Sequence, residues 1–282
     1  MPGMKWTFMS LQILDEVRSG KMTFAEMFPR ARAAGFVAYD ASDMDAEFAD
    51  REEVLRLCRE NGLKIADYIH WIHMATPDDK ALEAAIESGK QAVHTALAHG
   101  TKMLMIVEQV NRHDLEKLTR QEASRRMGCA LREIVNYADK FGVTVMVEDF
   151  PVPALPMSTS DEMKALLDAA PGLQLILDTG NMLAQKEDPL HFYQALKGHY
   201  AHVHLKDIEY PENATTGDID CDGRHIWNAQ HGEGVVNFAA LLPDLKQEGF
   251  DGYVTVEYGP HEGTKDHFEK MAESIRYLEG LL

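Results

Sequence analysis

Four short runs in the second half of the chain decide the fold: VTVMVED (Val143–Asp149), LQLILD (Leu173–Asp178), YAHVHLKD (Tyr200–Asp207) and YVTVEY (Tyr253–Tyr258). Each is rich in Val, Ile and Leu, as expected of a strand buried on both faces. Each also ends on or near a side chain able to hold a metal, namely Glu148, Asp178, His204 and Glu257. Strand ends that each present one such residue place a site at the C-terminal mouth of a parallel barrel. Alternation along a strand sharpens this. If Glu148 points inward, so do Met146 and Thr144; His204 shares its face with His202 and Lys206, and Glu257 with Thr255. Val145, Val147, Val203, Leu205, Val254 and Val256 then face a helix layer.

Working outward, apolar runs alternate with helical patterns at intervals of roughly 30 residues. Strands are predicted near residues 5–9, 36–40, 64–70, 102–108, 143–148, 173–178, 200–206 and 253–258. Helices are predicted over Ala81–His99, Leu115–Lys140, Glu162–Ala169 (capped by Thr159), from Asp188–Pro189 onward, and over Phe238–Gln247. In the last of these Asn237 is the cap and Pro243 should bend or shorten the helix. Eight strand–helix units predict an α/β fold, a single (β/α)₈ TIM barrel occupying residues 1–282 as one domain; such barrels take about 250 residues. An open doubly wound sheet is the alternative, but no GxGxxG follows an early strand.

Composition narrows the function classes. The 282 residues are 45% hydrophobic and carry a net charge of −18, which opposes nucleic acid and anionic membranes as partners. No apolar run approaches the roughly 20 residues of a membrane span. Three scattered cysteines without CxxC spacing, and a start without a signal-peptide pattern, predict a cytoplasmic protein.

One acid after a strand is usually a cap or a solvated loop residue. Four potential ligands on successive strand ends are harder to explain so, because three uncompensated carboxylates at a barrel mouth would repel. A divalent cation offsets that repulsion. Three oxygen ligands with one imidazole suit Mn²⁺, Mg²⁺ or Co²⁺, with Zn²⁺ also compatible.

The segments VEDFP, LDTGN, HVHLKD, HGEGVVNF and GYVTVEYG, in this order, resemble the C-terminal half of the sugar (phosphate) isomerase/epimerase family with a xylose-isomerase-like barrel. GFVAYD and TKMLMIVEQ are weaker echoes. The resemblance implies that Glu148, Asp178, His204 and Glu257 hold one divalent metal, with Glu148 and Glu257 as the acid/base pair. Many members carry His where this chain has Asn181; pentulose-phosphate 3-epimerase-like members carry Asn. The implied partner is a small-molecule sugar, with a homodimer or homotetramer compatible.

Such a site, near −1 with its metal, is a poor generator of metal hydroxide but can polarise a ketose carbonyl. The neighbouring C–H then becomes acidic, and the metal stabilises an enediolate. Proton return to the opposite face gives epimerisation, return to the adjacent carbon gives isomerisation, and loss of a β-hydroxyl gives dehydration. Substrate contacts are expected from His70 at the end of the third strand, Asn181, Lys206, and Arg224 and His231 in the polar stretch 208–235. That stretch reads either as a lid or as a solvated insertion, and its GEG turn as a phosphate receiver. A hydroxypyruvate-type isomerase is a further alternative. A DNA-repair endonuclease would need additional histidines, at Asn181 and at the end of the fourth strand, where Glu108 and Gln109 stand. A non-catalytic sugar-binding barrel would not need both glutamates.

Overall fold

Eight parallel strands separated by helices close on themselves into a ring. In the computed structural model, which describes residues 4–258 and 266–282, the first half runs β1 (Lys5–Met9), α1 (Leu14–Arg18), α2 (Phe24–Ala34), β2 (Ala38–Ser42), α3 (Arg51–Glu60), β3 (Lys64–Ile72), α4 (Asp79–Ala98), β4 (Met103–Glu108), α5 (Arg112–Leu115) and α6 (Arg120–Ala138). The second half runs β5 (Thr144–Glu148), α7 (Ser160–Ala169), β6 (Gln174–Asp178), α8 (Pro189–Ala195), β7 (Tyr200–Leu205), β8 (Asp207–Glu209), β9 (Asp218–Ile219), β10 (His225–Ala229), α9 (Phe238–Gln247), β11 (Tyr253–Val256) and α10 (His267–Glu279). The ring order is β1-β11-β7-β6-β5-β4-β3-β2, a single (β/α)₈ barrel. Gly259, which ends the GYVTVEYG motif, lies outside the described residues.

Strand parity is as expected. Val145, Val147, Val203, Leu205, Val254 and Val256 join the core between barrel and helices. Met9, Ile69, Met105, Val107, Met146 and Ile176 form a separate cluster. Polar residues of β1, β2, β7 and β11 complete the interior. Asp40 accepts from Thr7 Oγ1 (2.9 Å) and Thr255 Oγ1 (2.8 Å), and His202 Nε2 meets Thr255 Oγ1 at 2.7 Å.

Two segments differ from the sequence reading. β2 starts at Ala38 because Phe36 is still turning out of α2, its N–H bonded to Ala31 O past Gly35 (φ 109°). The helix expected over Leu115–Lys140 is two helices. Thr119 and Glu122 form a reciprocal capping box that opens α6 at Arg120, a signal written in the sequence as T-x-x-E. α9 is not shortened by Pro243 and runs its full expected length. Among the described residues no helix is long and apolar enough to cross a membrane.

Candidate metal and proton-transfer site

Four neighbouring strands, β5, β6, β7 and β11, deliver Glu148, Asp178, His204 and Glu257 to one place. One ligand atom from each lies within 4.8 Å of the others, a span that a single cation can bridge. Glu257 directly follows β11, and its N–H extends the ladder to Leu205 O at 2.8 Å. His204 Nδ1 lies 3.0 Å from Glu148 Oε2 and 3.5 Å from Glu257 Oε2. Asp178 is fixed by its Oδ1, which accepts from the N–H of Gly180 (2.7 Å) and of Asn181 (2.8 Å). Its Oδ2 faces the centre. Glu148 Oε2, Asp178 Oδ2 and both ring nitrogens of His204 are buried and make no well-aligned hydrogen bond; Glu148 Oε2, Asp178 Oδ2 and His204 Nδ1 meet only charged neighbours at ion-pair distance. Ligand atoms converging from hard oxygen and imidazole groups, poorly satisfied by hydrogen bonds of their own, fit a divalent cation. Asp178 and His204 sit behind (side chains 0% and 1% exposed), while Glu148 and Glu257 open to solvent (12% and 18%).

The electrostatics reflect three acids around one imidazole. Burial disfavours a charge on His204, yet bonding to Glu148 and Glu257 outweighs it and holds its pKa well above the usual value. Burial pushes Asp178 up to about 7, against the pull of Lys206. For Glu257 burial is overcome by Lys206 and His204, which hold the carboxyl below its ordinary range. A cation entering here must displace the proton that His204 would otherwise carry.

Lys206 is part of the centre rather than a peripheral contact. Its Nζ lies 2.6 Å from Glu257 Oε1, 3.1 Å from Asp178 Oδ2 and 2.9 Å from Asn181 Oδ1. Asn181 in turn donates from Nδ2 to Asp149 O at 2.9 Å. The charge expected for the loaded site is therefore corrected: three carboxylates, one ammonium and a divalent cation sum to zero, not −1.

The model of the xylose isomerase-like TIM barrel family matches residues 14–281. The chain belongs to that family. It is similar to an inosose dehydratase of Lacticaseibacillus casei, 19% identical over 78% of this chain and 77% of that one. It is also similar to the L-ribulose-5-phosphate 3-epimerase of Escherichia coli (strain SE11), 26% identical over 81% of this chain and 80% of that one. Among solved structures, the IOLI protein with a bound zinc atom shares the fold, with a TM-score of 0.75 at 18% identity, covering 98% of this chain and 96% of that one.

Three residues expected to touch substrate lie elsewhere. Ile69 points inward, so His70 points out of the barrel, where Nδ1 meets Asp43 Oδ2 (2.6 Å) and Nε2 meets Ser88 Oγ of α4 (2.9 Å). His231 is buried against Phe238, with Nδ1 at Ser274 Oγ (2.9 Å) and Nε2 at Leu205 O (2.8 Å), leaving no ring nitrogen to offer. Arg224 pairs with Asp220 at 3.1 Å and stacks over the Tyr210 ring at 4.0 Å. The stretch 208–235 is a small antiparallel sheet in the order β8-β10-β9. Its root packs Ile208 and Ile226 on Ala184.

The GEG turn is no phosphate receiver either. The Asp207 carboxylate already accepts from the N–H of Gly232 (2.9 Å), Gly234 (3.0 Å) and Val236 (3.0 Å). An internal anion fills the cradle.

Three further acids, Asp40, Asp67 and Asp149, are fully buried and carry no signal in the sequence that marks them as part of the interior. Both side-chain oxygens of Asp67 and of Asp149 are without a hydrogen-bond partner. The D of GFVAYD and the D of VEDFP were visible as motif letters, but only the closed ring shows that Asp40 lies beside His202 and His204.

Proposed function

We propose that this chain is a divalent-metal-dependent enzyme that moves a proton on the carbon beside a carbonyl, with a ketose or its phosphate as substrate and 3-epimerisation as the reaction. The observation that carries this reading is the placement of Glu148 and Glu257. They stand at the two ends of the four-strand arc and are its solvent-facing members, with Asp178 and His204 buried between them. A substrate entering the mouth meets one carboxylate on each side. A cation held by the four residues would supply carbonyl polarisation, which acidifies the adjacent C–H. One glutamate then accepts that proton, and the other returns one to the opposite face. Lys206, beside Glu257 and Asp178, balances the negative charge that develops on the substrate. The cation is Mn²⁺, Mg²⁺, Co²⁺ or Zn²⁺, since the donor set accommodates each.

Dehydration of a cyclic polyol ketone is the second reading, favoured by the likeness to an inosose dehydratase. It shares the first proton abstraction and differs in the group that leaves.

The discriminating experiment incubates the Mn²⁺-loaded protein with ketotetroses, ketopentoses, ketohexoses, their phosphates and an inosose in D₂O. Deuterium at the carbon beside the carbonyl with inverted configuration supports epimerisation. Loss of water supports dehydration. No exchange on any of them defeats the proposal.

A further inference from the structure

Lys206 is an unusual neighbour for a metal centre, because its ammonium bonds the same carboxylates a cation needs. The side chain is 10% exposed, reaches Glu257 Oε1 at 2.6 Å and Asp178 Oδ2 at 3.1 Å, and is held from behind by Asn181 Oδ1 at 2.9 Å. Its stem passes directly over Gly180, where a Cβ would lie 2.9 Å from Lys206 Cγ and 3.0 Å from Cδ. The backbone is pinned as well, since Lys206 N–H donates to Thr179 Oγ1 at 2.8 Å and Thr179 Oγ1 donates to Lys206 O at 2.8 Å. The lysine is thus built into the centre, aimed and buried.

We propose that Lys206 is the resident counter-charge of this centre: it restrains cation affinity by sharing Asp178 and Glu257, and in return makes the loaded site neutral so that an anionic intermediate is tolerated. This rests on the proton-transfer reading above. With Lys206 the three carboxylates leave −2 for the cation to meet; without it they leave −3. Removing the ammonium therefore strengthens attraction for a divalent cation and eliminates a competitor for two of its ligands. The same removal leaves a loaded site of −1, which repels the charge that develops when a proton is taken from the substrate. The two effects have opposite sign. A residue that merely shaped the pocket would weaken metal binding and turnover together.

The test measures Mn²⁺ affinity of the full chain by competition with a chromophoric chelator, alongside substrate α-proton exchange in D₂O. Lys206→Met should bind Mn²⁺ about 10-fold or more tighter, given unit charges a few ångströms apart, while exchange falls about 100-fold or more. Lys206→Gln, which can still donate to Asn181, should show the same opposite pair of changes and serves if the Met variant does not fold. Lys206→Arg should keep Mn²⁺ affinity near wild type. Unchanged or weaker Mn²⁺ binding in both neutral variants overturns the proposal. Absence of Mn²⁺ binding in the wild-type chain would instead sink the metal-dependent reading, and the counter-charge with it.

Discussion

Gly180 leaves the space through which Lys206 reaches the acidic centre. A Cβ at this position would lie 2.9 Å from Lys206 Cγ and 2.8 Å from Ile208 Cγ1. The glycine of LDTGN is there for a close approach, not for a left-handed turn. Gly180→Ala should therefore destabilise the fold by about 1–3 kcal/mol, the usual cost of overpacking. Urea unfolding of the variant would measure this; a change below ~0.5 kcal/mol would show that the lysine can give way.

Divalent cation binding should stabilise the folded chain by about 3–4 kcal/mol at 100–1,000 times the dissociation constant. The melting temperature with and without Mn²⁺ reports it. Asp178→Ala and His204→Ala should lose that shift while remaining folded. If both retain it in full, the ligand assignment fails.

Glu257→Gln keeps a coordinating oxygen but cannot take up a proton at neutral pH. Exchange of the substrate's α-proton should fall by about 10²–10⁴ while metal still binds. Glu148→Gln should behave alike. Normal turnover by Glu257→Gln with loss in Glu148→Gln alone would exclude a two-base mechanism and favour isomerisation through one shuttling carboxylate.

Asp207 serves the hairpin rather than the substrate. Asp207→Ala would strand the N–H groups of Gly232, Gly234 and Val236 in a part-buried turn. At roughly 1–3 kcal/mol for each unsatisfied group, a loss of about 3 kcal/mol or more is expected by denaturant unfolding. Near-wild-type stability would mean that other acceptors reach the turn.

His73 gives the fold a pH dependence separate from the metal. It lies 2.9 Å from Glu108 Oε1 and 3.0 Å from Asp114 Oδ2, and its bond to Glu108 leads the causes that raise its pKa to about 9. A raised folded pKa means stability fully present below the ordinary value of 6.5 and lost as pH climbs through about 9. His73→Gln should flatten the unfolding free energy across that window relative to wild type. Parallel profiles would remove His73 as the cause.

The barrel was legible in the chain because its signals are local. A buried parallel strand needs a short apolar run rich in Val, Ile or Leu, and Val143–Val147, Leu173–Leu177 and Tyr253–Val256 supply one each. Inward and outward faces follow from a period of two, so the ligand-bearing face was readable before any contact was known. The convergence of Glu148, Asp178, His204 and Glu257 followed from strand ends alone, since closure of the ring brings all C-terminal ends to one mouth. What the sequence could not decide is where a side chain goes once the chain leaves the strand. His70 is one residue from an inward position, and that single step turns it out to Ser88. His231 and Arg224 sit in a polar stretch whose direction is set by packing of Ile208 and Ile226 on Ala184, residues far apart in the chain. The phosphate cradle at GEG was refuted by Asp207, 25 residues before Gly232, whose carboxylate only the folded hairpin brings into reach. Parity alone makes Lys206 an inward-facing substrate contact; its bridge to Asp178 and Glu257 depends on the distances between three strands. Periodicity fixes which face a residue occupies; what it touches there depends on partners that only tertiary packing brings together.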